Sequence, residues 1–179
     1  MTPYDHIQQM AADFHGYFTA AAARKVGVRS CELDRWMKIG RLENPVRGVY
    51  RLSNYPPTQV EPYALAILAV GEKAAVFGES VLGMLNLVPT NPSWIYVATP
   101  VRTRKKLGTG IKVVIRRIEK FDSHEGIPMQ NVADAIRAVR GQVGKERRMR
   151  AAAEGFRQGY ILEPEYKKLI REIKNEAAS

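Results

Sequence analysis

Arg35 and Lys38 stand three positions apart in Ser30-Cys31-Glu32-Leu33-Asp34-Arg35-Trp36-Met37-Lys38. At helical spacing they share a face with Cys31 and Asp34, while Leu33, Trp36 and Met37 share the opposite one. A guanidinium in that position can bond guanine O6 and N7 bidentately, and an ammonium can meet a phosphate or a guanine edge. Asp34 and Glu32 repel phosphate, so Asp34 must lie off the backbone or accept from a cytosine amino group. Cys31 is either a small residue that allows close approach or a thiol that senses oxidation. The plain alternative for the whole face is solvated surface.

Stepping outward, the flanking residues supply a way to position that face. Thr19 is an N-cap for a helix over Ala20–Lys25, and Gly27 suits a left-handed residue that ends it. Val28 is placed to plug the corner, with Val26 and Val28 packing on the apolar face of the next helix. Ser30 is a second N-cap, opening a helix from about Cys31 to Ile39 that Gly40 ends. Arg41 to Leu52 then reads as two β-prone stretches around Asn44-Pro45 and Gly48. Helix, glycine corner, helix and basic hairpin form the pattern of a winged helix-turn-helix. An ordinary helical hairpin shares its first half. Arg29, Arg41, Arg47 and Arg51 are candidates to hold phosphates, and Ser30, Cys31, Asp34, Arg35 and Lys38 to face the bases.

Charge supports a polyanion partner: the chain of 179 residues has a net charge of +10. Residues 1–52 contribute +3, and 53–99 contribute −2. Residues 100–120 hold eight Lys/Arg against one Asp/Glu, and 121–179 contribute +2. Most of the excess therefore lies in a second basic patch: Arg102, Arg104, Lys105, Lys106, Lys112, Arg116 and Arg117. Its first half falls between β-prone runs at Ser93–Thr99 and Ile111–Ile118, and reads either as a phosphate- or RNA-binding loop or as a solvated hairpin tip. No aromatic residue lies among these charges, so the loop alone offers no stacking platform.

Catalysis finds little in the sequence. His6, His15 and His124 are scattered, and His124 falls in the polar stretch Asp122–Glu125, read as a loop. Glu172-Ile173-Lys174 matches half of a nuclease pattern but lies in a helical stripe. The glycine–lysine spacing around 105–110 is wrong for a phosphate-binding loop. One cysteine makes no internal disulfide or metal cluster. Neither metal nor cofactor is expected. The N-terminus Met1–His6 lacks a basic-then-apolar signal, and no apolar run approaches a membrane span of about 18 residues. A cytoplasmic protein with no membrane partner is the expectation.

The organisation expected is α+β in two units, 1–55 and 56–179, joined at Ser53-Asn54-Tyr55-Pro56-Pro57-Thr58. The second opens with a helix from about Val60 to Val70. Ala75–Phe77 reads as a short strand or an entry turn, followed by a buried helix at Ser80–Leu87. Trp94–Val97 reads as a covered strand and Ile111–Ile115 as a half-exposed one. Three apolar stripes predict C-terminal helices: Val132, Ile136 and Val139; Met149, Ala153, Phe156 and Tyr160; and Tyr166, Leu169, Ile170 and Ile173. Pro164 suits a helix start, and Glu163 and Glu165 suit a first turn. The result is a small sheet with helices on one side.

The stretch from Gly16 to Leu52 resembles the N-terminal domain of AbiEi-type antitoxins of bacterial abortive-infection toxin–antitoxin systems. Thr19, Ala20, Ala23, Gly27, Ser30, Leu33, Gly40, Leu42, Arg47, Gly48, Val49, Tyr50 and Leu52 match its pattern. Glu79–Leu87, Ile95–Pro100 and Gly126-Ile127-Pro128 to Asp134 resemble later segments, with Val81 where the family often has alanine. The resemblance spans about residues 5 to 140. It implies a DNA-binding repressor of its own operon, bound to double-stranded operator DNA, that counters a neighbouring nucleotidyltransferase-like toxin, with or without touching it. An inverted-repeat operator would take a homodimer or two monomers. The alternative is an RNA- or ribosome-associated protein that uses the 102–117 patch.

Overall fold

The computed structural model describes residues 1–90 and 93–177. The architecture is α+β. The N-terminal part runs α1 (Pro3–Ala12), β1 (Tyr17–Thr19), α2 (Ala20–Lys25), α3 (Ser30–Lys38), β2 (Leu42–Val46) and β3 (Val49–Leu52). Helix α1, not foreseen, starts on a reciprocal cap. The Thr2 hydroxyl accepts from the Asp5 N–H, the Asp5 carboxylate accepts from the Thr2 N–H, and Pro3 fills the first turn. Thr19 caps α2, accepting from the Ala22 N–H at 3.1 Å. Gly27 and Gly40 take φ of +85° and +73° at the two helix ends, where a Cβ is strained.

Two local expectations need correction. Ser30 is the first residue of α3 rather than its cap; the Glu32 carboxylate closes the helix start by accepting the Arg29 N–H at 2.9 Å. Val26 is 42 % exposed, because it occupies the C-cap of α2 on the outer side of the corner, and Val28 alone fills the interior with Leu33 and Trp36. The antiparallel sheet β1-β3-β2 covers this small core. The Asn44 side chain closes the β2–β3 turn by donating to the Val46 and Val49 carbonyls at 2.9 and 2.8 Å.

The second part runs α4 (Glu61–Val70), β4 (Ala75–Val76), α5 (Glu79–Met84), β5 (Ile95–Thr99), β6 (Ile111–Ile115), β7 (Phe121–His124), β8 (Ile127–Gln130), α6 (Val132–Ala138), α7 (Lys145–Arg157) and α8 (Glu163–Asn175). Its sheet has the order β6-β5-β4-β8-β7. Strands β5 and β6 are parallel, pairing Ile95 with Ile111 and Thr99 with Ile115. The basic stretch between them is therefore a crossover, not a hairpin tip. Nor is Asp122–Glu125 a loop: Phe121–His124 pairs antiparallel with Ile127–Gln130. Glu125 and Gly126, with φ of +50° and +80°, form the two-residue turn between them.

Val76, Val97, Ile127 and Met129 face the helices and are fully buried among Leu82, Ile136, Leu169 and Ile173. The other face holds Ala75 and Ala98, across which the chain passes from β6 to β7 with Ile118 as its buried contact. The apolar stripe expected on α7 is rotated. Arg148, Ala151, Ala152 and Gly155 point inward, while Ala153 is exposed and Phe156 is 41 % exposed, stacked on Tyr166. Buried Arg148 sets that rotation: it donates to the Val143 carbonyl and forks onto Glu176. Gly155 admits Ile161, whose Cδ1 would lie 3.0 Å from a Cβ.

The main core is shared. Tyr17, Val46 and Val49 belong to the same cluster as Val60, Ala64 and Val97. His15 adds a polar tie. Its Nε2 faces the Glu125 carbonyl at 2.8 Å and its Nδ1 the Thr58 hydroxyl at 3.2 Å. A carbonyl only accepts, so Nε2 carries a proton and donates to it.

Candidate nucleic-acid interface

Helix α3 turns Leu33 and Trp36 into the core, and Tyr4 meets the Trp36 ring edge-on at 5.1 Å. This fixes the rotation of the helix. Arg29, Ser30, Cys31, Asp34, Arg35 and Lys38 are all exposed as a result. Among the described residues neither Arg35 nor Lys38 has a hydrogen-bond or ion-pair partner. By contrast, the Arg29 guanidinium lies 3.8 Å from Glu32. Glu32 is thus engaged at the helix start, where a carboxylate also complements the helix dipole.

The other arginines divide. Arg47 is exposed at the β2–β3 turn, and Arg41 is exposed with its guanidinium 4.9 Å from the Tyr4 ring centre. Arg51 is corrected outright, since it does not face solvent. It is 9 % exposed, donates to Glu61 at 2.6 Å, and also holds the Leu52 and Tyr55 carbonyls at 3.0 and 2.9 Å. The Tyr17 hydroxyl donates to the same Glu61 carboxylate at 2.8 Å. Burial, then the Glu61 bond, pushes the Tyr17 phenol well above its ordinary value. Burial works against the Glu61 charge, yet bonds from Arg51, Tyr17 and the Thr58 backbone hold its carboxyl below the usual value. A buried arginine bonded to Glu61 and to two backbone carbonyls is a structural clamp between the two parts of the chain and cannot also hold a phosphate.

The second basic patch splits in two. Arg102, Arg104, Lys105 and Lys106 are exposed on the crossover. Leu107 of that crossover packs on the main core, and Gly108 is so near the β2–β3 hairpin that a Cβ would lie 3.3 Å from Val46 Cγ2. Lys112, Arg116 and Arg117 lie on β6 and just beyond it. The Lys112 ammonium is 4.8 Å from the Trp94 ring centre and 6.0 Å from Tyr96, and the Arg116 guanidinium is 5.9 Å from Phe77. No aromatic neighbours these charges in the chain, but strand pairing brings three rings to them. The signal was in the alternation of Trp94 and Tyr96, which puts both on one sheet face.

Two further sequence candidates are held by neighbouring side chains. Glu172 binds the Arg137 guanidinium at 2.7 Å, alongside Asp134 and Glu165. His124 Nδ1 meets the Tyr160 hydroxyl at 2.6 Å. Among the described residues no three His, Cys, Asp or Glu side chains are grouped to hold a metal ion, and no helix is long and apolar enough to cross a membrane. No protein-family model and no curated protein matches the chain.

Proposed function

We propose that the protein is a sequence-specific DNA-binding regulator whose N-terminal part is a winged helix-turn-helix. Helix α3 enters the major groove, Arg35 and Lys38 contact base edges, and Arg29, Arg41 and Arg47 hold phosphates. The observation that carries this reading is the outward face of α3: two unpartnered cations on a helix locked in rotation by Leu33 and Trp36. The crossover supports it, because its basic residues lie next to the β2–β3 hairpin and extend the positive surface beyond the groove-facing helix. The resemblance to AbiEi-type antitoxins adds the biological role: repression of its own operon and protection against a nucleotidyltransferase-like toxin encoded beside it. The protein itself is not an enzyme in this reading.

Binding to the duplex directly upstream of its own gene, measured against a scrambled duplex across a salt series, tests the proposal. Discrimination persisting at about 150 mM salt, where the non-specific electrostatic contribution is much reduced, is the expected outcome. Equal binding to both duplexes that vanishes with salt overturns it.

A further inference from the structure

The open face of the second sheet brings rings and cations together from segments far apart in the sequence. Ala75 and Val76 of β4 pair with Ala98 and Val97 of β5. Phe77 continues that ladder, its N–H donating to the Tyr96 carbonyl at 2.9 Å. Lys112 of β6 pairs with Tyr96 from the other side. Alternation along each strand puts Phe77, Tyr96 and Lys112 in one transverse row on the face away from the helices, with Trp94 on the same face two positions before Tyr96. Trp94 is 39 % exposed and Lys112 is exposed, while Tyr96 and Phe77 are half-buried.

Packing does not require this arrangement. Phe77 packs on the small apolar cluster of Ala75, Ala98 and Ile118 on this face, yet Trp94 lies outside it. Lys112 and Arg116 rest over the rings, and neither makes an ion pair among the described residues. Rings with unneutralised cations beside them match the two halves of a nucleotide: a flat base to stack and a phosphate to neutralise. Helix grooves of a duplex cannot use them, because a paired base does not offer its flat face.

We propose that this sheet face binds a single-stranded polynucleotide, with bases stacked on Trp94 and Tyr96 and phosphates held by Lys112 and Arg116. When a base takes the ring face, each cation moves from ring to phosphate and stays paired. The site is separate from α3, so it does not depend on the duplex-binding reading.

Trp94 provides the test. The other tryptophan, Trp36, is 4 % exposed, so quenching by an oligonucleotide reports Trp94. The full-length protein is titrated with oligo(rU), oligo(dT) and a duplex of equal length, at fixed moderate salt. Saturable quenching by one or both single strands, and not by the duplex, is expected; the two single strands decide between RNA and unpaired DNA. In a parallel anisotropy titration with labelled oligonucleotide, Trp94→Ala should weaken binding about tenfold and Trp94→Phe much less, since one stacked base is worth roughly a factor of five to a hundred. Lys112→Gln should weaken it and flatten its salt dependence, whereas Arg35→Ala with Lys38→Ala should leave it unchanged. Trp94 and Lys112 are exposed, so both variants are expected to fold, checked by circular dichroism. Absence of quenching, or single-strand affinity equal in Trp94→Ala and the parent protein, overturns the proposal. Equal quenching of Trp94 by single strand and duplex also overturns it.

Discussion

The N-terminal part and the second sheet both present positive charge, but they support it differently. Around α3 the rings are used for construction: Trp36 is buried against Tyr4, and Phe18 stacks on Tyr50 with centroids 5.6 Å apart. The outward cations there stand without rings, apart from Arg41 over Tyr4. On the sheet face the rings are themselves partly exposed and the cations lie over them. Positive charge thus lies in one place on a helix face with few rings and in the other on a sheet face that carries them. In the proposed reading, charge draws in a polyanion and the placement of the rings separates duplex from single strand.

The largest effect is expected at the joint between the two parts. Glu61→Ala leaves buried Arg51 without its carboxylate, and should cost about 3 kcal/mol in urea unfolding at neutral pH. A loss below about 1 kcal/mol would mean that Arg51 finds water or another partner, and would reopen it as a surface cation. The same pair sets a pH dependence. Because the folded Glu61 carboxyl lies below its ordinary value near 4.5, its contribution is complete above that value and lost as pH falls through the lower folded one. Urea midpoints of the parent should therefore fall below pH 4.5 more steeply than those of Glu61→Gln.

A second test sharpens the contrast between Arg35 and Arg51. Arg35→Ala with Lys38→Ala should lower operator affinity by about tenfold to a hundredfold, with the urea midpoint unchanged. Arg51→Met should do the reverse, shifting the midpoint and leaving the discrimination of the folded fraction intact. Equal effects on both readouts in both proteins would erase the distinction. Smaller still is the corner. Gly27 has φ of +85° and no atom within 4 Å of a hypothetical Cβ, so Gly27→Ala should cost only backbone strain, about 1 kcal/mol, in the same unfolding assay. The smallest effect belongs to the crossover. Arg104→Ala with Lys105→Ala should reduce the salt slope of duplex binding by about 1 to 2 without altering sequence preference. An unchanged slope would remove that loop from the duplex surface.

Local chemistry was readable where one or two neighbouring residues decide the geometry. Thr19 as a cap, Gly27 and Gly40 as positive-φ ends, and Pro164 in the first turn of α8 all lie where their side chains require. The outward set on α3 follows from helical periodicity. Thr2-Pro3-Tyr4-Asp5 carried the start of α1 in plain view, and Glu125-Gly126 carried the β7–β8 turn, although the polar residues around it obscured the strands. Two errors have a common origin. Residue type and periodicity group Arg51 with the exposed arginines and turn the large apolar residues of α7 inward. In both cases a buried ion pair, Arg51 with Glu61 and Arg148 with Glu176, makes arginine an interior residue. Its partner lies outside the window that any periodicity covers.

By itself, then, the sequence determined the α+β class, the Thr19 cap and the glycine-ended turns on either side of α3, and which side of that helix is apolar. These depend on φ preferences, capping groups and a repeat of 3.6 residues, all local properties. Tertiary structure alone decided that the basic stretch is a crossover between parallel strands, that Arg51 is a clamp, and that Trp94, Tyr96 and Phe77 share a face with Lys112 and Arg116. Strand order and long-range pairing depend on which apolar faces bury each other, and that competition runs over the whole chain.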